Sequence, residues 1–165
     1  MKIAIISDIH DNLVNLNKFI NWANNNDVNV IFCTGDLTNE ESARKLAKDF
    51  NKNIYIISGN AELYDPQVFH DYNNTHHLGE TGIISLADTK FGLCHEPHFI
   101  HELIEKRPDL DIIFYGHTHK PWIEKRGQTR VVNPGTLAGL FQKATFALYD
   151  TETKKIELKI LEIIK

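Results

Sequence analysis

The 165-residue sequence predicts an α/β fold. Three observations lead there. Short β-branched runs alternate with helically spaced apolar residues over the first sixty positions, the pattern of strands and crossover helices. The remainder reads as hairpins around a single helix, and almost every strand-like run stops on an Asp, Asn or His. At this length one core is sustainable, so a single domain over 1–165 is expected.

"KIAIIS" is a continuous β-branched run, as in a strand covered on both faces. Leu13, Leu16, Phe19, Ile20 and Ala23 then recur at helical spacing, and the helix stops in "NNND". "VNVIFCTG" is a second buried strand. Thr38 and Glu41 form a capping-box pattern ahead of a helix that gathers Ala43, Leu46, Ala47 and Phe50 on one face. "NIYIISG" is a third strand, and β-α-β-α-β implies right-handed crossovers and a parallel sheet.

Asp65 and Pro66 then open a short helix. "GIISL" and "KFGLCH" flank "ADT" as a hairpin, a helix runs from Phe99 to Arg107, and "DIIFYG" is another short buried strand. "WIEKR" with "TRVVN", and "ATFALYD" with "KIELKILEII", make two further hairpins. These later strands are expected to be mostly antiparallel, either in a mixed sheet built on to the parallel one or in two sheets face to face.

Composition narrows the function classes. Apolar residues are 42% and charged residues 24%, and no run nears the ~20 apolar residues of a bilayer span, so no membrane is expected. Asp8 and His10 interrupt the first apolar run too early for a secretory leader; the fold is expected to start at the methionine and the protein to be cytoplasmic. Cys33 and Cys94 lie in apolar runs and read as reduced packing thiols. The net charge is −4 with scattered lysines and arginines, which excludes an extended nucleic-acid groove and leaves small phosphorylated substrates open.

Open parallel sheets bind ligands beyond the carboxyl ends of their strands. There the chain places Asp8 and His10 after the first strand, Asp36 after the second, Asn60 after the third, His95 after "GLC", and His117 and His119 after "FYG". In extended backbone i and i+2 share a face, so Asp8 with His10, and His117 with His119, are each expected to face a common centre. Gly35, Gly59 and Gly116 stand just before candidates, where a tight backbone brings ligands close. Singly these residues are ordinary, since Asp caps helices and "GD" and "GN" mark turns. Jointly they indicate a cation site, because capping does not call for histidines at several strand ends and uncompensated buried carboxylates are costly. Mixed oxygen and nitrogen donors suit Mn, Fe, Co, Ni or Zn better than Ca or Mg, and seven donors exceed the needs of one ion.

"DIH" at Asp8–His10, "GD" at Gly35–Asp36, "GN" at Gly59–Asn60, the isolated His95 and "GHTH" at Gly116–His119 resemble the calcineurin-like metallophosphoesterases. The short chain and "NPGT" at Asn133–Thr136 resemble most closely the small phosphodiesterases of the YfcE type. The resemblance implies a four-layer α-β-β-α sandwich, two stacked mainly mixed sheets flanked by helices. It implies two divalent transition-metal ions, manganese foremost, with Asp8, His10 and His119 on one, Asn60, His95 and His117 on the other, and Asp36 bridging. A metal-bridging hydroxide would attack a small phosphodiester, such as a nucleotide derivative, in line, and Asn60 would also bind the substrate phosphate. The same centre would serve a phosphomonoesterase, and the same fold a non-catalytic interaction scaffold with degraded motifs; all seven positions are filled here, which disfavours the scaffold.

Two departures from the family pattern matter. Ala61, followed by Glu62, stands where many relatives have a histidine that protonates the leaving group, so good leaving groups are expected to be favoured. "CHEP" puts Glu96 and Pro97 where close relatives show His-Gly-His; His98 is the candidate replacement as phosphate contact or proton donor, or else a surface residue opening the next helix. His70, His76, His77 and His101 match no motif and read as surface or packing residues. Trp122, Leu140 and Phe141 are candidates for a substrate rim or for the interface of a homo-oligomer.

Overall fold

The computed structural model of the protein describes residues 1–164. Strand β1 (Lys2–Ile6) leads through α1 (Leu13–Asn25) to β2 (Val28–Cys33), through α2 (Glu40–Asp49) to β3 (Asn53–Ile56), and through a 3-10 turn (Pro66–Asp71) to β4 (Thr75–His77). The chain then leaves for a second sheet: β5 (Thr81–Leu86), β6 (Thr89–Cys94), α3 (Phe99–Lys106), β7 (Ile112–Phe114), β8 (Trp122–Arg126) and β9 (Thr129–Asn133). It returns to the first sheet as β10 (Thr145–Asp150) and β11 (Ile156–Ile160), ending in a 3-10 turn at Leu161–Ile163. The strand orders are β11-β10-β1-β2-β3-β4 and β5-β6-β7-β9-β8.

Alternation along the strands fills two layers at once. Ile3 and Ile5 of β1, Val30 and Phe32 of β2 and Tyr149 of β10 face the second sheet, where Phe91 and Phe114 meet them. Phe32 and Phe91 pack edge to face at 5.2 Å between ring centres, and Phe91 and Tyr149 at 5.5 Å. Ala4, Ile6, Ile31 and Cys33 point the other way, on to Leu16, Phe19 and Ile20 of α1 and Leu46 of α2. That two-sided burial is why these strands read as unbroken apolar runs. Ile100 and Leu103 of α3 cover the outer face of the second sheet against Ile113 and Val131. The result is the helix–sheet–sheet–helix sandwich.

Both sheet alternatives are realised together. Strands β10 and β11 extend the parallel sheet antiparallel to β1, while β5–β9 form the facing sheet. That second sheet is less antiparallel than expected: β6, β7 and β9 run parallel, with β5 and β8 as antiparallel edges. The edge strand β4 escapes the sequence reading because "THH" has neither length nor apolar alternation; it pairs parallel with β3. The capping box at Thr38 is corrected as well. Helix α2 is preceded by Asn39, whose side chain makes no cap bond; instead Asp11, from the loop after β1, accepts the Asn39 N–H at 2.9 Å and the Ser42 hydroxyl at 2.8 Å. Cys33 and Cys94 are free and buried, and burial pushes the Cys94 thiol up to about 12. Among the described residues no helix is long and apolar enough to cross a membrane.

Candidate metal centre

The loops beyond β1, β2 and β7 turn inward at the predicted residues themselves. Asp8, His10, Asp36, His117 and His119 have φ of 54°, 42°, 57°, 67° and 57°, left-handed backbone rather than the extended backbone expected from the i, i+2 spacing. Backbone bonds lock the turns together: Asp8 N–H to Gly35 O at 3.0 Å, Ile9 N–H to Asp36 O at 2.8 Å, and Gly116 N–H to His95 O at 3.0 Å. A Cβ on Gly59 would overlap Asp36 Oδ1, and one on Gly116 would overlap Ser7 Oγ, so at these positions the loops pack through bare backbone.

The histidine pair of "GHTH" consequently splits. His119 Nε2 lies 3.2 Å from Asp8 Oδ1 and 3.2 Å from His10 Nε2. His117 turns away, its Nδ1 2.8 Å from Asn60 Oδ1 and its ring edge-on to His95 at 5.3 Å. Asp36 sits between: its Oδ2 is 3.3 Å from His95 Nε2 and 3.7 Å from His10 Nε2, while its Oδ1 accepts the Ala61 N–H at 2.9 Å. Two compact trios result, Asp8–His10–His119 and Asp8–Asp36–His95, each with its ligand atoms within 4.8 Å of one another. Asp8 belongs to both, whereas the resemblance assigns the shared position to Asp36. Asn60 and His117 lie outside the two trios, hydrogen-bonded to each other.

These side chains suit a cation. His95 Nδ1 donates to Thr34 O at 2.7 Å, which fixes the tautomer and leaves Nε2 as an acceptor. That buried Nε2 has no hydrogen-bond partner among the described residues, although Asp36 is close by outside hydrogen-bonding alignment. Burial pushes the Asp36 carboxyl up, but His95, the Ala61 N–H and His10 outweigh it and hold the group below its ordinary range. Burial pushes His95 down, yet the carboxylates of Asp36 and Asp8 raise it; His119 is raised by Asp8. Strong negative field on imidazoles that have few other partners is the electrostatic setting of a metal site.

Supporting groups complete the picture. In "NPGT", Asn133 Nδ2 donates to Gly116 O at 2.8 Å and Thr136 Oγ1 to Asp8 O at 2.8 Å, bracing the loops of His117 and Asp8. The Thr38 hydroxyl lies 3.4 Å from His10 Nδ1. Glu62, given no role in the sequence reading, accepts N–H groups from Leu37, Thr38 and Gly59; only its place just after "GNA" hinted at this. His98 joins neither trio: it is exposed at the start of α3, with Nδ1 3.6 Å from Glu96. His77 packs on Phe69 and contacts Ser58 at 2.9 Å, away from both trios.

Known proteins are similar to this chain in sequence and in fold. The phosphodiesterase MJ0936 of Methanocaldococcus jannaschii is 30% identical over 167 residues, spanning 98% of this chain and all of the relative. An archaeal phosphodiesterase of known structure superposes with a TM-score of 0.85 at 26% identity, over 97% of this chain and 99% of the other. The phosphoesterase YfcE of E. coli shares the fold, with a TM-score of 0.71 at 19% identity over 98% and 100% of the two chains. The profile of the calcineurin-like phosphoesterase superfamily domain matches residues 1–154, and with the loops and donors described above this establishes that the chain belongs to that superfamily.

Proposed function

We propose that the protein is a binuclear metal-dependent phosphodiesterase acting on small phosphodiesters. The observation that carries this reading is the pair of trios, Asp8–His10–His119 and Asp8–Asp36–His95, that meet around the buried His95 Nε2, which has no hydrogen-bond partner among the described residues. Asp8, His10 and His119 would hold one divalent ion, Asn60, His95 and His117 the other, and Asp36 would be shared. Manganese is the leading candidate, with Fe, Co, Ni and Zn as alternatives on donor chemistry. Ions bound there supply Lewis acidity toward phosphoryl oxygens and lower the pKa of water.

The chain's own residues set the geometry. The Ala61 N–H occupies one Asp36 oxygen and leaves the other facing His95 and His10. Thr34 O presets the His95 ring, and Asn133 and Thr136 fix the loops of His117 and Asp8. With Asn60 Oδ1 engaged by His117, the amide Nδ2 is left to donate to a phosphoryl oxygen. Ala61 offers no proton, and His98 faces Glu96 from an exposed position. Substrates with leaving groups that depart without protonation are therefore favoured.

The test is a screen of divalent ions with two chromogenic esters. Turnover on bis-p-nitrophenyl phosphate should exceed that on p-nitrophenyl phosphate, disappear with chelator and return with Mn²⁺. Asp36→Asn and His117→Ala should each abolish it while leaving the far-UV circular dichroism unchanged. Preference for the monoester would replace the diesterase reading by a phosphomonoesterase, and full activity in Asp36→Asn would reject the metal mechanism.

A further inference from the structure

We propose that Glu62 is a positioning residue, a carboxylate clasp that sets the Asp36, Asn60 and His10 loops in their metal-ready arrangement before any ion binds. The proposal rests on the metal-centre reading above and adds a residue that touches none of the donors directly.

Glu62 Oε1 accepts the N–H of Leu37 at 3.3 Å and of Gly59 at 3.2 Å, and Oε2 accepts the N–H of Thr38 at 2.9 Å. One side chain thus joins the backbone following Asp36 to the backbone preceding Asn60. The joint is reciprocal, because Asp36 Oδ1 takes the Ala61 N–H at 2.9 Å and Thr38 O takes the Leu63 N–H at 2.8 Å. The two loops also touch without side chains between them: a Cβ on Gly35 would stand 2.6 Å from Gly59 N and 2.7 Å from its Cα.

Thr38 extends the clasp to a third loop. It has φ of 80°, a conformation that disfavours β-branched residues and persists only where the surroundings over-determine it. Its N–H points at Glu62 and its hydroxyl at His10 Nδ1. Holding that backbone therefore orients an imidazole of the other trio.

The chemistry calls for a carboxylate with this reach. An ionised carboxylate offers about four lone-pair sites and accepts all three N–H groups; a glutamine offers a single oxygen and turns its NH₂ toward one of the donors. An aspartate keeps the charge but is one methylene too short to meet both loops. Partners that orient ligands from outside typically cost about 10- to 100-fold in metal affinity or activity when removed.

The experiment titrates Mn²⁺ alone into chelator-treated wild type, Glu62→Gln and Glu62→Asp by calorimetry, with circular dichroism to establish folding. Both variants should bind Mn²⁺ about 10- to 100-fold more weakly than wild type. Normal affinity in Glu62→Asp with weak binding in Glu62→Gln would mean that charge alone matters and would overturn the positioning role. Normal affinity in both, with only a lower melting temperature, would overturn it as well. Should the variants fail to fold, hydrogen exchange of the wild type decides: without metal, the Leu37, Thr38 and Gly59 amides should already be protected, and free exchange there would refute the clasp. Wild type that binds no Mn²⁺ but protects those amides would sink the metal reading and leave the clasp standing.

Discussion

Asp8, His10, Asp36, His117 and His119 each occupy left-handed backbone, at a cost of about 1 to 2 kcal/mol per non-glycine residue. Five such residues persist because interloop backbone bonds and bare glycine contacts leave the chain no relaxed alternative. Gly59 shows how tight the fit is. Replacing it with alanine puts a methyl group into Asp36 Oδ1, so Gly59→Ala should lose about 1 to 3 kcal/mol in urea denaturation and bind Mn²⁺ measurably more weakly by calorimetry. Unchanged affinity would show that the loop yields without moving Asp36. At this scale the candidate donors could be named from the sequence, since Asp, Asn and His that are ordinary singly gather at several strand ends. Their conformations were not legible there. The i, i+2 spacing implied co-facing side chains, whereas left-handed turns send His119 to Asp8 and His117 to Asn60. Glu62 was invisible for a related reason: its partners are backbone groups, which leave no mark on the residues that supply them.

The elements were legible in proportion to their periodicity. Helices α1, α2 and α3 and the buried strands followed from their apolar spacing, while β4 did not, because three polar residues carry no pattern. Strand direction in the second sheet was hidden too, as hairpin-like spacing does not reveal which further strand β9 joins; it lies between β8 and β7, antiparallel to the first and parallel to the second. Strand β4 nonetheless has a measurable signature in His77, whose imidazole burial pushes below its ordinary 6.5. The unfolded chain therefore takes up that proton first as pH falls, and the stability associated with neutral His77 is present above about 6.5 and lost as the pH drops through the lowered folded value. In metal-free protein, urea midpoints at pH 7.5 and 5.5 should fall further for wild type than for His77→Gln. Equal falls would show that His77 stays solvated.

At the scale of the molecule, the fold class was readable because burial on both faces makes strands uniformly apolar, but that same uniformity could not say whether one sheet or two would form. The answer lies in the inner aromatic layer, where Phe32, Phe91, Phe114 and Tyr149 draw the sheets together. The Phe32 ring packs against Tyr55, Phe91 and Phe114 at once, so Phe32→Ala should cost about 3 to 5 kcal/mol in equilibrium urea unfolding. A loss under 1 kcal/mol would mean that the layer refills the void.

The candidate donors are shared between the sheets: Asp8, His10, Asp36 and Asn60 follow strands of one, and His95, His117 and His119 follow strands of the other. Chemistry proposed for this seam would thus be an all-or-none report on docking. Under the proposed function, a chain whose layers have slid apart would have no weakened version of the reaction to fall back on, and each cation captured there would work as a rivet through both plates.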